Sequence, residues 1–194
     1  IFSIINTYRN PQELINVAGS FIMKNKNQQR KLLISNKHLD KPIKIIYTNN
    51  KIKTLKDILQ KDKDFFVIGR NNKDIYHYID DEYKELDNGH FKYQDITFRY
   101  LTAHKSKGLE STNVILINVE DDILGFPTKI PNEELLKYVN NIRDYYPYEE
   151  ERRLFYVALT RTKNNVYIIT NKKSESIFVK ELKQNKKHVD VIYE

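Results

Sequence analysis

The chain contains no cysteine, so it can form neither a disulfide nor a thiolate metal site. That fits a reducing compartment, and the cytoplasm is the expected location. No apolar stretch approaches the roughly 18 residues of a membrane-spanning helix, so no membrane partner is expected. The first residues, Ile1-Phe2-Ser3, show neither an initiator methionine nor a charged-then-apolar signal pattern, and a piece of a longer chain is expected. No G-x-x-x-x-G-K-[ST] loop occurs, which excludes a phosphate cradle of the Walker A kind within these residues. Histidines at 38, 77, 90, 104 and 188 show no ligand spacing, so no closed metal cluster is expected either.

What is present is a chain of 194 residues, 40% apolar, enough for one proper core. A net charge of +7 with 12% aromatic residues suits a polyanionic partner. Much of the lysine lies beside asparagine in stretches such as Lys24–Lys31, which read equally well as solvated faces.

The segment that organises the chain is PYEEERRLFYVALTRTKNNVYIIT, residues 147–170. Pro147 suits a first helical turn, and Glu149, Glu150 and Glu151 favour the positive end of the helix dipole. Leu154, Phe155, Ala158 and Leu159 form an apolar stripe at helical spacing. Glu149 is placed to pair with Arg152 and Arg153 along the helix surface. Arg161 has no carboxylate at i−3 or i−4 and sits where the helix feeds the strand Val166–Thr170. It either complements the helix C-terminal dipole or offers its fork to a phosphate outside the segment.

Along the chain, strands are expected at Ile1–Asn6, Arg30–Ser35, Ile43–Thr48, Phe65–Gly69, Ile96–Leu101, Asn113–Val119 and Val166–Thr170. Helices are expected after Pro11, at Thr54–Gln60, Ile75–Leu86, Glu133–Asn140 and in the organising segment, with Ile177–Leu182 last before a basic, frayed tail from about Lys183. Asn88-Gly89 marks a turn, with Phe91–Tyr93 in a hairpin or loop. Alternation of strand and helix predicts an α/β domain with a mostly parallel sheet covered on both faces. Ligands of such sheets bind beyond strand C-termini, and Tyr8-Arg9, Arg70 to Asn72 and Thr102 to Glu110 all follow expected strands. Tyr8-Arg9 suits a base and a phosphate of one nucleotide, although a packed tyrosine beside a surface arginine is the plainer account of the pair alone. His104 to Glu110 gathers a histidine, two lysines and a serine around Gly108, where backbone can approach a ligand; it is a phosphate or nucleic-acid contact or else a lysine-rich turn.

Taken together, TYRNPQELINVAGSFIMKN (7–25), FFVIGRNN (65–72), LTAHKSKGLESTNVILIN (101–118) and EEERRLFYVALTRTKNNVYIIT (149–170) resemble the second motor domain of UvrD/Rep-type superfamily 1 DNA helicases, closest to the helicase IV-like branch. The resemblance implies a single RecA-like, three-layer domain over residues 1–194, of the P-loop NTPase type but lacking its own Walker A loop. It implies a short insertion around residues 73–95, far smaller than the helical insertion of larger relatives. It implies ATP and Mg²⁺ as cofactors, with the Mg²⁺ ligands on an N-terminal RecA-like domain of the same parent chain. By the same resemblance Tyr8 stacks on adenine, Arg9 and Arg161 reach the γ-phosphate as catalytic arginines, and Glu110 holds the sugar, with Gly108 beside it in the nucleotide site. Arg70, Asn72, Thr102 and His104 would contact single-stranded DNA. The implied activity is an ATP-dependent DNA helicase, 3′ to 5′ by resemblance, active in DNA repair. The fragment alone would be inactive. Thr162 stands where the family often has alanine. The rival reading is a non-catalytic, helicase-like interaction or DNA-tethering module of a repair complex. A fused nuclease is a third, dependent on residues beyond Glu194.

Overall fold

The computed structural model describes residues 6–25, 28, 33–130 and 148–194. Residues 1–5 of the strand expected at Ile1–Asn6, the start of that at Arg30–Ser35, the helix at Glu133–Asn140 and Pro147 lie outside the described residues. Asn6 and Ile34 form an isolated parallel bridge.

The described strands are β1 (Ile43–Tyr47), β2 (Phe65–Gly69), β3 (Tyr83–Glu85), β4 (His90–Tyr93), β5 (Ile96–Thr102), β6 (Asn113–Leu116), β7 (Val166–Thr170) and β8 (Val189–Tyr193). They make one sheet in the order β3-β4-β5-β2-β6-β7-β1-β8. Pairings from β5 through β8 are parallel, while β3-β4 and β4-β5 are antiparallel. Strands such as Phe65-Phe66-Val67-Ile68 run without a polar break because parallel strands at the centre of a sheet are covered on both sides. Beneath α1 (Gln12–Ile22), α3 (Glu149–Leu159) and α4 (Ile177–Leu182) lies a core of Leu14, Phe21, Ile45, Leu116, Phe155 and Phe178, among others. The other face packs Val67, Ile115, Ile169 and the aromatic side chains of β3–β5 against α2 (Lys51–Leu59). This is the expected mostly parallel α/β architecture of three layers.

Local chemistry sets the helix starts. Asn50 caps α2 by accepting from the Lys53 amide at 3.0 Å, and Ser176 caps α4 by accepting from the Phe178 amide at 3.1 Å. α3 opens with three glutamates at its positive end and follows Tyr148, which is left-handed at φ 57°.

Three expectations are corrected. Ile75–Leu86 is not a helix: a 3₁₀ turn at Asp74–His77 precedes the edge strand β3. Ile75 and Tyr78 are three apart and buried, which mimics a helix, but Tyr83 then pairs with Tyr93 across an antiparallel ladder. The tail does not fray, since Val189–Tyr193 adds β8 parallel to β1 and Val189 is buried. Arg152 does not pair with Glu149. It is buried at 2% exposure, donates to Glu181 at 2.6 and 2.9 Å and to the Phe21 carbonyl at 3.2 Å, and lies over the Phe21 and Phe178 rings. Glu149 is left to Arg153.

Candidate functional site

The N-terminal ends of the parallel strands build the first site. Segment 6–10 is anchored there by Asn10, whose buried amide donates to the Thr162 carbonyl at 2.6 Å and the Thr160 carbonyl at 3.3 Å. The Thr7 amide donates to the Ile34 carbonyl at 2.9 Å. Tyr8, held between these anchors, turns its ring into solvent at 84% exposure. Arg9 donates from Nε to Oε2 of Glu110 at 2.5 Å, across 101 positions of sequence.

Glu110 reaches this end because the connection after β5 runs the length of the sheet. Ala103 bonds to Gly69 at the far end, whereas Ser111 donates to the Arg161 carbonyl at 3.1 Å and accepts from the Lys163 amide at 2.8 Å. Lys163 Nζ takes the second oxygen of Glu110 at 3.1 Å. Hydrogen bonds from Lys163 first and Arg9 second hold the Glu110 carboxyl below its ordinary range, so it is an anion at neutral pH. Lys37 Nζ donates to the Lys163 carbonyl at 2.7 Å. Asn6, Thr7, Tyr8, Arg9, Lys37, Glu110 and Lys163 together line a cavity of about 490 Å³.

Arg161 stands behind this cavity. Its Nε donates to the Val157 carbonyl at 2.9 Å, its Nη1 to the Leu109 carbonyl at 3.5 Å and its Nη2 to Thr160 Oγ1 at 3.3 Å. The guanidinium thus closes the C-terminal turn of α3, as the dipole account anticipates. It also feels the site. Burial first, and repulsion from Arg9 second, lower its affinity for the proton, while Glu110 opposes them. No carboxylate pairs with Arg161 among the described residues. Gly108 does not line the cavity. Its φ of 82° lies in the left-handed region, so it serves the turn that delivers Leu109 and Glu110.

The second group lies at the opposite end of the sheet. Arg70 follows β2 and forks onto Glu151 of α3 at 2.8 and 2.9 Å. Asn72 is exposed, and its neighbour Asn71 makes the structural bonds, donating to the Leu124 carbonyl at 2.7 Å. Thr102 is buried, and His104 is exposed on the turn after β5. Partial desolvation first, then the charges of Arg70 and Lys107, press the His104 pKa below its ordinary value. The expectation that the whole run Thr102 to Glu110 sits beyond a strand C-terminus is therefore corrected for Glu110, which lies at the opposite end of the sheet. Tyr8, Arg9, Glu110 and Arg161 assemble at the N-terminal ends of β6 and β7, and Arg70, Asn72, Thr102 and His104 at the C-terminal ends of β2 and β5.

Residues 82–173 match the UvrD-like helicase C-terminal domain. The chain is also similar to DNA helicase IV of Escherichia coli (strain K12), with 30% identity over 185 residues. That match covers 91% of this chain and 25% of the relative, so the chain spans about a quarter of that protein's length. Among solved structures, the C-terminal domain of a possible DNA helicase from Lactobacillus plantarum WCFS1 superposes with a TM-score of 0.55. At 14% identity, over 96% of this chain and 98% of that one, the likeness supports the fold alone. No group of three or more histidine, cysteine, aspartate or glutamate residues among the described residues is placed to hold a metal ion. No described helix is long and apolar enough to cross a membrane.

Sequence reasoning missed Lys37, Lys163 and Asn10. Lys163 stands two positions after Arg161 and Asn10 directly after Arg9, so adjacency to the named pair was the available signal.

Proposed function

We propose that this helicase C-terminal domain supplies the second half of an ATP site in a cytoplasmic, ATP-dependent DNA helicase that moves 3′ to 5′. Tyr8 stacks on the adenine, Glu110 binds the sugar beside Gly108, and Arg9 and Arg161 reach the γ-phosphate. Arg70, Asn72, Thr102 and His104 contact single-stranded DNA at the other end of the sheet. Mg²⁺ ligands and the phosphate-cradling loop belong to an N-terminal RecA-like domain of the parent chain. The observation that carries this reading is the convergence of Tyr8, Arg9 and Glu110 on one cavity, with Arg161 immediately behind it.

The donor set fits a triphosphate. Arg9, Lys37, Lys163 and Arg161 put four cations around the single carboxylate of Glu110. Arg9 and Arg161 repel one another, and an anion placed between them would relieve that repulsion. Glu110 holds Arg9 in reserve, and the fork is free to exchange a carboxylate for a phosphate of greater charge. Bound ATP contributes the phosphoryl group; the arginines contribute positive charge against its oxygens as the cleft closes.

The test is Arg161→Ala in the intact parent protein. DNA-stimulated ATP turnover should fall by about a thousand-fold or more, the scale of an arginine finger, while affinity for single-stranded DNA is kept. Retained turnover would refute the phosphate role. The isolated chain should hydrolyse no ATP with or without DNA, and measurable turnover by it would refute the half-site reading.

A further inference from the structure

The antiparallel end of the sheet carries a charged face that the nucleotide site does not use. Residues opposite one another on neighbouring strands share a face. The register sets Lys84 against Lys92 and Lys92 against Thr97; in the next row His90 faces Arg99, and Arg99 faces Phe66. The alternate residues Tyr83, Phe91, Tyr93 and Phe98 point into the core on the α2 side. Lys84, Lys92, His90 and Arg99 therefore stand together on the opposite side. The core under α1, α3 and α4 draws its strand residues from β1, β2, β6, β7 and β8, and none from β3, β4 or β5. Lys84 and Lys92 are exposed, and His90, Arg99 and Phe66 are half-buried.

Folding alone does not account for this row. Like charges directly opposite each other weaken a strand pair. Some other cations of the domain are paired, as Lys56 is with Asp80 and Glu82, and Lys51 with Glu120. Among the described residues no carboxylate lies within ion-pair distance of Lys84, Lys92 or Arg99. The Arg99 Nε is moreover buried without a hydrogen-bond acceptor among the described residues. A buried guanidinium N–H without an acceptor is costly and adds to the strain of the like-charged row.

We infer that the β3-β4-β5 face binds the sugar-phosphate backbone of a single nucleic-acid strand, with Lys84 and Lys92 on phosphates and the Arg99 fork on another beside His90. β5 runs from Arg99 directly to Thr102 and the His104 turn, so the face continues the DNA contacts proposed at that end and rests on that reading. Phe66 closes the row, its half-buried ring packed against the core under α1, α3 and α4. An acidic protein is the poorer occupant, because protein interfaces are organised around apolar anchors and the Lys84–Lys92–Thr97 row has none.

The experiment measures anisotropy of a fluorescein-labelled oligothymidylate titrated with the full chain over a series of salt concentrations. It compares the parent, the double variant Lys84→Gln with Lys92→Gln, and His104→Ala. The exposed lysines are replaced without disturbing the core, so the double variant should keep the parent melting temperature. Its affinity should fall about ten-fold at low salt, and the slope of log K against log salt should shrink by about 1.4, roughly 0.7 for each lost phosphate contact. An unchanged slope overturns the inference. If His104→Ala weakens binding while the lysine variant keeps the parental slope, the face is wrong and the strand-end reading survives. A parent chain that does not bind the oligonucleotide sinks both. Competition by polyglutamate as effective as that by unlabelled oligothymidylate, and lost in the lysine variant, would assign the face to acidic proteins and overturn the inference as well.

Discussion

His104 shows how single residues at the strand-end site are tuned. Partial desolvation and the cations Arg70 and Lys107 disfavour its charged form, against the weaker pull of Glu151 and Glu150. Its folded pKa is therefore lower than its unfolded pKa, and between the two values the unfolded chain binds the proton more readily. Any stability this contributes is complete above about pH 6.5 and is lost as pH falls through that value toward the folded midpoint. In an NMR titration the His104 midpoint should lie below 6.5, and Arg70→Gln should move it upward. A midpoint unchanged by Arg70→Gln would remove Arg70 as a cause. At the N-terminal ends of β6 and β7, the grouping of Tyr8, Arg9, Glu110 and Arg161 followed from the family resemblance rather than from the chemistry of any one motif. Lys37 and Lys163 were not legible, because lysine beside asparagine looks the same whether it faces solvent or a carboxylate.

At the level of elements, Phe65–Gly69 and Val166–Thr170 were readable to the residue, since an unbroken apolar run leaves little choice of boundary. The reading fails where local spacing and distant partners compete. Ile75 and Tyr78 have helical spacing over one turn only, after which the chain adopts a two-residue period. Arg152 has Glu149 within reach along its own helix, yet Glu181 of α4 takes it, because burial between α1, α3 and α4 rewards a fork with two oxygens and two aromatic faces. Arg152→Ala would leave Glu181 without its partner in a site that is only 13% exposed at that side chain. It should cost about 3 kcal/mol or more in urea denaturation, the range for breaking a buried pair. The double replacement Arg152→Met with Glu181→Leu should recover most of that loss. If Arg152→Ala costs less than about 1 kcal/mol, the three helices are held by apolar contacts alone.

Across the whole molecule, the last strand is as structural as the first. β8 completes the parallel half of the sheet, buries Val189, and ends with the Glu194 amide on the Tyr47 carbonyl at 2.9 Å and the Glu194 carboxylate accepting from Thr54 at 2.7 Å. Removing residues 188–194 should lower unfolding free energy by about 3 kcal/mol, from one buried valine and the lost ladder hydrogen bonds. Urea titration followed by circular dichroism checks this, and a truncated chain of parental stability would show that β8 is dispensable. β8 was not visible in the sequence, because its place beside β1 is decided by pairing between distant segments.

The separation of the two candidate sites has a mechanical side. β2 begins beside Asp64, which accepts from Ser111 Oγ and the Thr112 amide at 2.8 Å, one step from Glu110, and it ends at Arg70. Five extended residues, about 17 Å of backbone, thus form a strut with the Glu110 corner at its foot and the Arg70 turn at its head. Locked between β5 and β6, the strut can tilt but cannot shorten, so a nudge at the foot reaches the head as displacement rather than being absorbed on the way.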